Sequence, residues 1–225
     1  MEDISPELLA KFRAPAHPGS FFLSFEGIEG AGKSTQLLNL KAFLEEKNFR
    51  VLILREPGGT PFGEKLRSAI LNTQTPIHPL AEVYLFAASR AQLLDEVTLK
   101  ELNVPNTVII YDRYIDSTLA YQGVGRNLGV QTILEIHQNF PLNLVPHMTF
   151  YLKISLDCSI LRQEKRNQDK DYFESQGRDF YQKLIDGYDM AAELFPDRIL
   201  VLNGEKEQSQ VTNDIIGHVK QLLLK

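Results

Sequence analysis

The octapeptide Gly27-Ile28-Glu29-Gly30-Ala31-Gly32-Lys33-Ser34 fits the spacing G-x-x-x-x-G-K-[ST], and it stands between an apolar run, Phe21 to Phe25, and a stretch of helical period, Lys33 to Lys47. Strand, glycine loop and helix in that order form the context in which such a loop cradles phosphate. The glycines let backbone N–H groups close around an anion, and the helix N-terminus adds the positive end of its dipole. Lys33 can reach the β/γ phosphates and the Ser34 hydroxyl can ligate Mg²⁺. The candidate nucleotide-binding segment runs on to Thr35. Plain turn-forming glycines followed by a lysine are the ordinary alternative, and the strand-to-helix setting argues against it.

Outward from this loop, four more short apolar runs recur at Val51 to Leu54, Val108 to Tyr111, Met148 to Leu152 and Ile199 to Leu202. Their branched and aromatic content predicts buried strands. Between them lie helical periods at Leu80 to Leu99, Ile133 to Phe140, Phe180 to Leu194 and Val211 to Leu223. Alternation of strand and helix predicts an α/β fold, a parallel sheet covered on both faces. No repeat or break in composition marks a second domain. Residues 1 to 19 differ: Pro6, Pro15, Pro18 and Gly19 frame one short helical stretch, Leu8 to Phe12, so this segment is expected to be a flexible, loosely attached extension of a domain spanning 20 to 225. The run Arg162 to Glu174 is dense in charge and is expected to be a solvated loop or a mobile lid.

The 225 residues are 43% hydrophobic and 24% charged, an ordinary globular balance that excludes fibrous and disordered classes. A formal net charge of -5 argues against a general nucleic-acid or anionic-membrane partner, so bound phosphate needs a local cationic pocket. One cysteine, Cys158, excludes an internal disulfide and fits a reducing compartment. The acidic N-terminus lacks a signal peptide's cationic start, no apolar run suits a membrane span, and the cytoplasm is the expected location. The five histidines lack paired metal-site spacing and read as surface or capping residues.

Val108-Ile109-Ile110-Tyr111-Asp112-Arg113 is an apolar strand ending in an acid and a base. Parallel strands bring their carboxyl ends to one edge, so Asp112 should emerge beside the glycine loop and hold a metal or its waters, with Arg113 turned toward phosphate. A phosphate loop alone does not separate a kinase from a switch GTPase, a motor or a transporter ATPase. No Asn-Lys-x-Asp guanine motif is present, since Asn167 to Asp171 has the wrong order, and no LSGGQ-like segment is found.

From Phe21 onward the chain resembles the thymidylate kinase family in FFLSFEGIEGAGKSTQ, LREPGGTPFGEKLR, LFAASRAQL, YDRYIDSTLAYQGVGR, and DYFE followed by the helix containing GYDMAAELFP. The resemblance implies a three-layer P-loop fold of the nucleoside-monophosphate-kinase type, with a five-stranded parallel sheet. It also implies transfer of the γ-phosphoryl of MgATP to dTMP for dTTP synthesis. Glu29 then matches the loop acid that accepts from the sugar 3′-OH, and Arg55 and Arg113 match the arginines that hold the dTMP phosphate. Guanidinium forks suit a phosphate dianion.

Phe86 and Arg90 share a helix face at four-residue spacing, so the ring can stack on a base while the guanidinium reaches its edge. The resemblance assigns them to thymine stacking and to its O4. It places Ser117, Tyr121 and Gln122 in the nucleoside pocket, where the tyrosine excludes a ribose 2′-OH by clash. Gly30 stands where one branch of the family has arginine. The branch with glycine uses basic lid residues, here Arg162, Lys165 and Arg166, to neutralise the transferring phosphoryl. Tyr172 departs from the family's arginine, which leaves open which lid residue is catalytic. Family members are homodimers, and the apolar helix Leu80 to Leu99 suits either such an interface or the interior. Two rival readings stay open: a P-loop kinase of another nucleoside monophosphate or deoxynucleoside, and a nucleotide-binding switch without catalysis.

Overall fold

The computed structural model describes residues 4–165, 173 and 177–223. Arg166 and most of the expected lid lie outside the described residues. The elements follow as α1 (Pro6–Leu9), β1 (Phe21–Glu26), α2 (Lys33–Glu46), β2 (Arg50–Arg55), α3 (Pro61–Leu71), α4 (Pro79–Leu93), α5 (Leu99–Leu102), β3 (Thr107–Asp112), α6 (Ile115–Thr118), α7 (Val130–His137), β4 (Met148–Lys153), α8 (Leu156–Glu164), α9 (Arg178–Leu194), β5 (Ile199–Asn203) and α10 (Gln208–Leu223). Each of the five apolar runs forms a strand. The strands pair in the order β2-β3-β1-β4-β5, every pair parallel. β1 from Phe22 onward and β3 from Thr107 to Tyr111 are buried on both faces, which is why their sequence is largely apolar without alternation.

Helices cover both faces of the sheet, the doubly wound arrangement expected of a P-loop kinase. Chain order reverses on either side of β1, and crevices at such switch points open beyond the carboxyl ends of the strands. In the β1–β3 register Phe25 lies opposite Asp112, so the glycine loop and the Asp112-Arg113 pair emerge side by side.

Local chemistry sets the helix starts. Thr60 accepts from the Gly63 N–H at 2.9 Å ahead of Pro61, and Ser155 accepts from the Cys158 N–H at 3.3 Å. His78 caps α4, accepting from the Leu80 N–H at 3.3 Å. The helix expected over Leu80 to Leu99 is interrupted: α4 ends at Leu93, a wider π-type turn spans Leu94–Thr98, and α5 follows. A second wide stretch, Leu119–Gly125, continues α6.

The segment before Gly19, read from its prolines as loosely attached, carries Ile4, Leu8 and Phe12 into the hydrophobic core. Phe12 packs edge-on against Phe195, with ring centroids 6.1 Å apart. Arg13 pairs its backbone with the loop before β4, donating to Asn143 and accepting from Val145. Three apolar side chains at positions 4, 8 and 12 and the Arg13 backbone pairing seat a short segment framed by four turn-forming residues.

Candidate active site

At the carboxyl edge of the sheet lies a cavity of about 280 Å³, near the lower bound for small-molecule sites. The glycine loop forms one wall. Gly27, Gly30 and Gly32 have φ of 134°, 80° and 93°, conformations that L side chains resist. A Cβ on Gly27 would meet the Leu152 carbonyl oxygen at 2.6 Å. Ile28 and Ala31 turn their side chains into the core, while Ser34 and Thr35 are exposed at the start of α2.

Lys33 is buried and donates to the carbonyl oxygens of Gly27 at 2.9 Å and Ile28 at 3.2 Å. Burial, together with the like charge of Arg113, pushes its ammonium down to about 8 against the pull of Asp112 and Glu29. Asp112 lines the cavity, and its buried Oδ1 has no hydrogen-bond partner among the described residues. An orphaned carboxylate oxygen in the cavity that Ser34 also lines fits a hard divalent cation that takes phosphate oxygens and water as well.

Arg113 has φ of 70°, a left-handed conformation uncommon outside glycine, at the point where β3 leaves the sheet. Its Nη1 donates to the Gly27 carbonyl and to Tyr188 Oη, both at 2.9 Å, and its Nη2 lies 3.8 Å from a Glu29 carboxylate oxygen. Beneath it, fully buried Glu26 accepts from the Tyr114 N–H at 2.7 Å and from Ser117 Oγ at 2.6 Å. Burial and the nearby charge of Asp116 raise this carboxyl to about 8.

Arg55 pairs with Glu64 at 3.1 Å and also lines the cavity, so the surface ion pair and the binding position coexist. Phe86 and Arg90 reach the cavity from α4, and Ser117, Tyr121 and Gln122 reach it from the stretch after β3. The Gln122 amide nitrogen donates to buried Glu82 at 2.7 Å, which fixes its orientation. Arg162 lies at the glycine loop, where its guanidinium donates to the carbonyl oxygens of Gly30 and Gly204, each at 3.0 Å.

Phe173 and the partners that hold Arg90 escaped the sequence reading as site residues. Phe173, an aromatic within the charged run, lines the cavity with its ring 6.2 Å from Phe86 and 5.4 Å from Tyr121. Arg90 is almost wholly buried and is held by Glu56, Thr118 and His137. His137 was expected at the surface or at a cap; it is instead fully buried.

The thymidylate kinase family model matches residues 25–215. Thymidylate kinase of Chlorobaculum tepidum is 40% identical over 211 residues, covering 90% of this chain and 98% of that protein. The enzyme of that name from Acholeplasma laidlawii is 41% identical over 204 residues, covering 90% of this chain and all of that protein. The Thermoanaerobacter sp. protein of the same name is 37% identical over 202 residues. A phosphate loop, an acid and an arginine at the end of β3, and an aromatic-arginine pair on α4 meet in one cavity, and the similarity spans nearly the whole of these relatives: the chain belongs to the thymidylate kinase family.

Proposed function

We propose that this chain transfers the γ-phosphoryl group of ATP to dTMP, giving ADP and dTDP for dTTP synthesis. The observation that carries the reading is the convergence of Lys33, Arg55, Arg113 and Asp112 with Phe86, Arg90 and Gln122 on a single cavity. ATP lies on Gly27 to Thr35 with its phosphates among the loop N–H groups. Glu29, Arg55 and Arg113 hold the sugar and phosphate of dTMP, and Phe86, Arg90, Ser117, Tyr121 and Gln122 receive its nucleoside.

The dTMP phosphate oxygen is already ionised and attacks in line, so no strong general base is required. Catalysis is positioning and charge neutralisation by Lys33, Arg113 and the basic residues Arg162 and Arg166. Ser34 and Asp112 would hold Mg²⁺, which would supply charge neutralisation for the transferring phosphoryl group. The orphaned Asp112 oxygen supports that assignment.

The catalytic unit is residues 20–225, with the segment before it an addition that packs on its core. One cysteine supports a reducing compartment, and we place the enzyme in the cytoplasm. Among the described residues no helix is long and apolar enough to cross a membrane. A net charge of -5 supports small phosphorylated ligands over nucleic acid. The exposed Leu80 and Tyr84 on α4, with Phe62 on the neighbouring α3, support a homodimer through that face. Incubation with dTMP and MgATP, with products separated by anion exchange, tests the reaction. Equal amounts of dTDP and ADP are expected, whereas ADP without dTDP contradicts it.

A further inference from the structure

Resting on the reading of Arg90 as the residue that meets the base, we propose that His137 is a positioning residue for it: a buried acceptor that locks the guanidinium and leaves one N–H for the nucleotide. Arg90 carries five N–H donors and no acceptor. Its Nε donates to Glu56 Oε2 at 2.8 Å. Its Nη2 donates to the same oxygen at 2.6 Å and to Thr118 Oγ1 at 3.0 Å. Nη1 lies 2.9 Å from His137 Nε2. Four donors are thereby committed, and among the described residues the remaining Nη1 hydrogen is the one left for a ligand in the cavity that Arg90 lines.

The tautomer of His137 follows from its partners. Nδ1 lies 2.8 Å from the carbonyl oxygen of Ile133, which can only accept, so Nδ1 carries the proton. Nε2 therefore presents its lone pair to Arg90, which can only donate. A protonated ring would turn an N–H toward the guanidinium and break this contact. Burial and the Arg90 charge hold the ring down to about 3, so the accepting form prevails at working pH.

His137 closes α7, which packs against the wide stretch Leu119–Gly125 that bears Tyr121 and Gln122. His137 is fully buried and does not itself line the cavity, so its influence on the acceptor passes through Arg90. The Tyr114 ring backs the same guanidinium, its centroid 4.8 Å from Cζ. Glu56, the Tyr114–Thr118 stretch and His137 thus surround Arg90 from three separate parts of the chain.

The test compares two amides. His137→Asn can keep the Nδ1-side bond to Ile133 but falls short of Arg90, whereas His137→Gln extends an acceptor oxygen to where Nε2 stands. With the full chain, KM for dTMP is expected to rise roughly tenfold in the Asn variant, the scale of one lost hydrogen bond. KM for ATP and kcat are expected within about twofold of the parent, and the Gln variant is expected to recover most of the dTMP loss. His137→Phe fills the ring's volume without a lone pair and is a second lesion, so whichever lesion folds by circular dichroism decides. An unchanged KM for dTMP in a folded lesion, or a Gln variant as impaired as the Asn variant, overturns the proposal. Absence of dTMP turnover in the parent protein instead removes the function assigned above and this inference with it, so the two failures are told apart.

Discussion

The carbonyl oxygen of Gly27 accepts a hydrogen bond from Lys33 Nζ at 2.9 Å, so the loop's own cation closes the loop that carries it. Arg113 donates to the same oxygen at the same distance. One carbonyl thereby gathers two cations of the cavity wall. Lys33→Ala is expected to lower kcat by at least the roughly 10² to 10³ typical of losing one preorganised donor at a developing charge. Because burial works against the Lys33 ammonium, its removal is not expected to lower the unfolding midpoint. Steady-state kinetics beside thermal unfolding check both halves, and near-normal turnover contradicts the role given to Lys33.

The thymine methyl offers a measure of the base pocket. One methyl in an apolar setting contributes roughly 1 to 3 kcal/mol, so kcat/KM for dTMP is expected to exceed that for dUMP by about 10 to 200-fold. A ratio near one would show that the Phe86 side of the cavity does not enclose the base.

The N-terminal segment makes a prediction about stability alone. Phe12 is buried against Phe195 and does not line the cavity, so Phe12→Ala is expected to cost about 3 kcal/mol, the scale of emptying an aromatic core site. Urea unfolding measures it, with kcat expected unchanged at temperatures where the variant is folded. An unchanged midpoint would mean that the segment detaches in solution.

His137 predicts a pH dependence. Its folded value near 3 lies below the ordinary value near 6.5, so between them the unfolded chain binds more protons than the folded one. Stability should therefore rise with pH across that window and fall on acidification below about 6.5. At pH 5 the contribution lost is about 2 kcal/mol, from roughly 1.5 pH units at 1.36 kcal/mol each. Urea midpoints at pH 7 and pH 5 are expected to differ less in His137→Gln than in the parent, and identical slopes would contradict this account.

The strands were legible because a parallel sheet buried on both faces writes itself as continuous apolar runs, as Val108 to Tyr111 does. No helical period was named over α3, although Thr60 and Pro61 form a start signal. α8 buries only Ser159 and runs into the charged segment, so periodicity had little to report. The meeting of Lys33, Ser34, Asp112 and Arg113 at one cavity was legible because their motifs are local and their strand ends are fixed by topology. The partners of Arg90 were not: Thr118, Glu56 and His137 stand 28, 34 and 47 residues away in sequence, and only packing unites them. Glu26 was hidden differently, as an ionisable residue in a buried strand, its carboxyl raised by burial and its polar atoms satisfied by the Tyr114 N–H and the Ser117 hydroxyl.

The central claim is that one cavity joins ATP to a thymine nucleotide. An ADP-release assay with dTMP, dUMP, dGMP and AMP as acceptors, run with MgATP in excess, tests it most directly. The account expects dTMP to give the highest kcat/KM, dUMP to follow, and the two purine nucleotides to fall far below. A purine nucleotide as the best acceptor, or no acceptor-dependent ADP release at all, would contradict it.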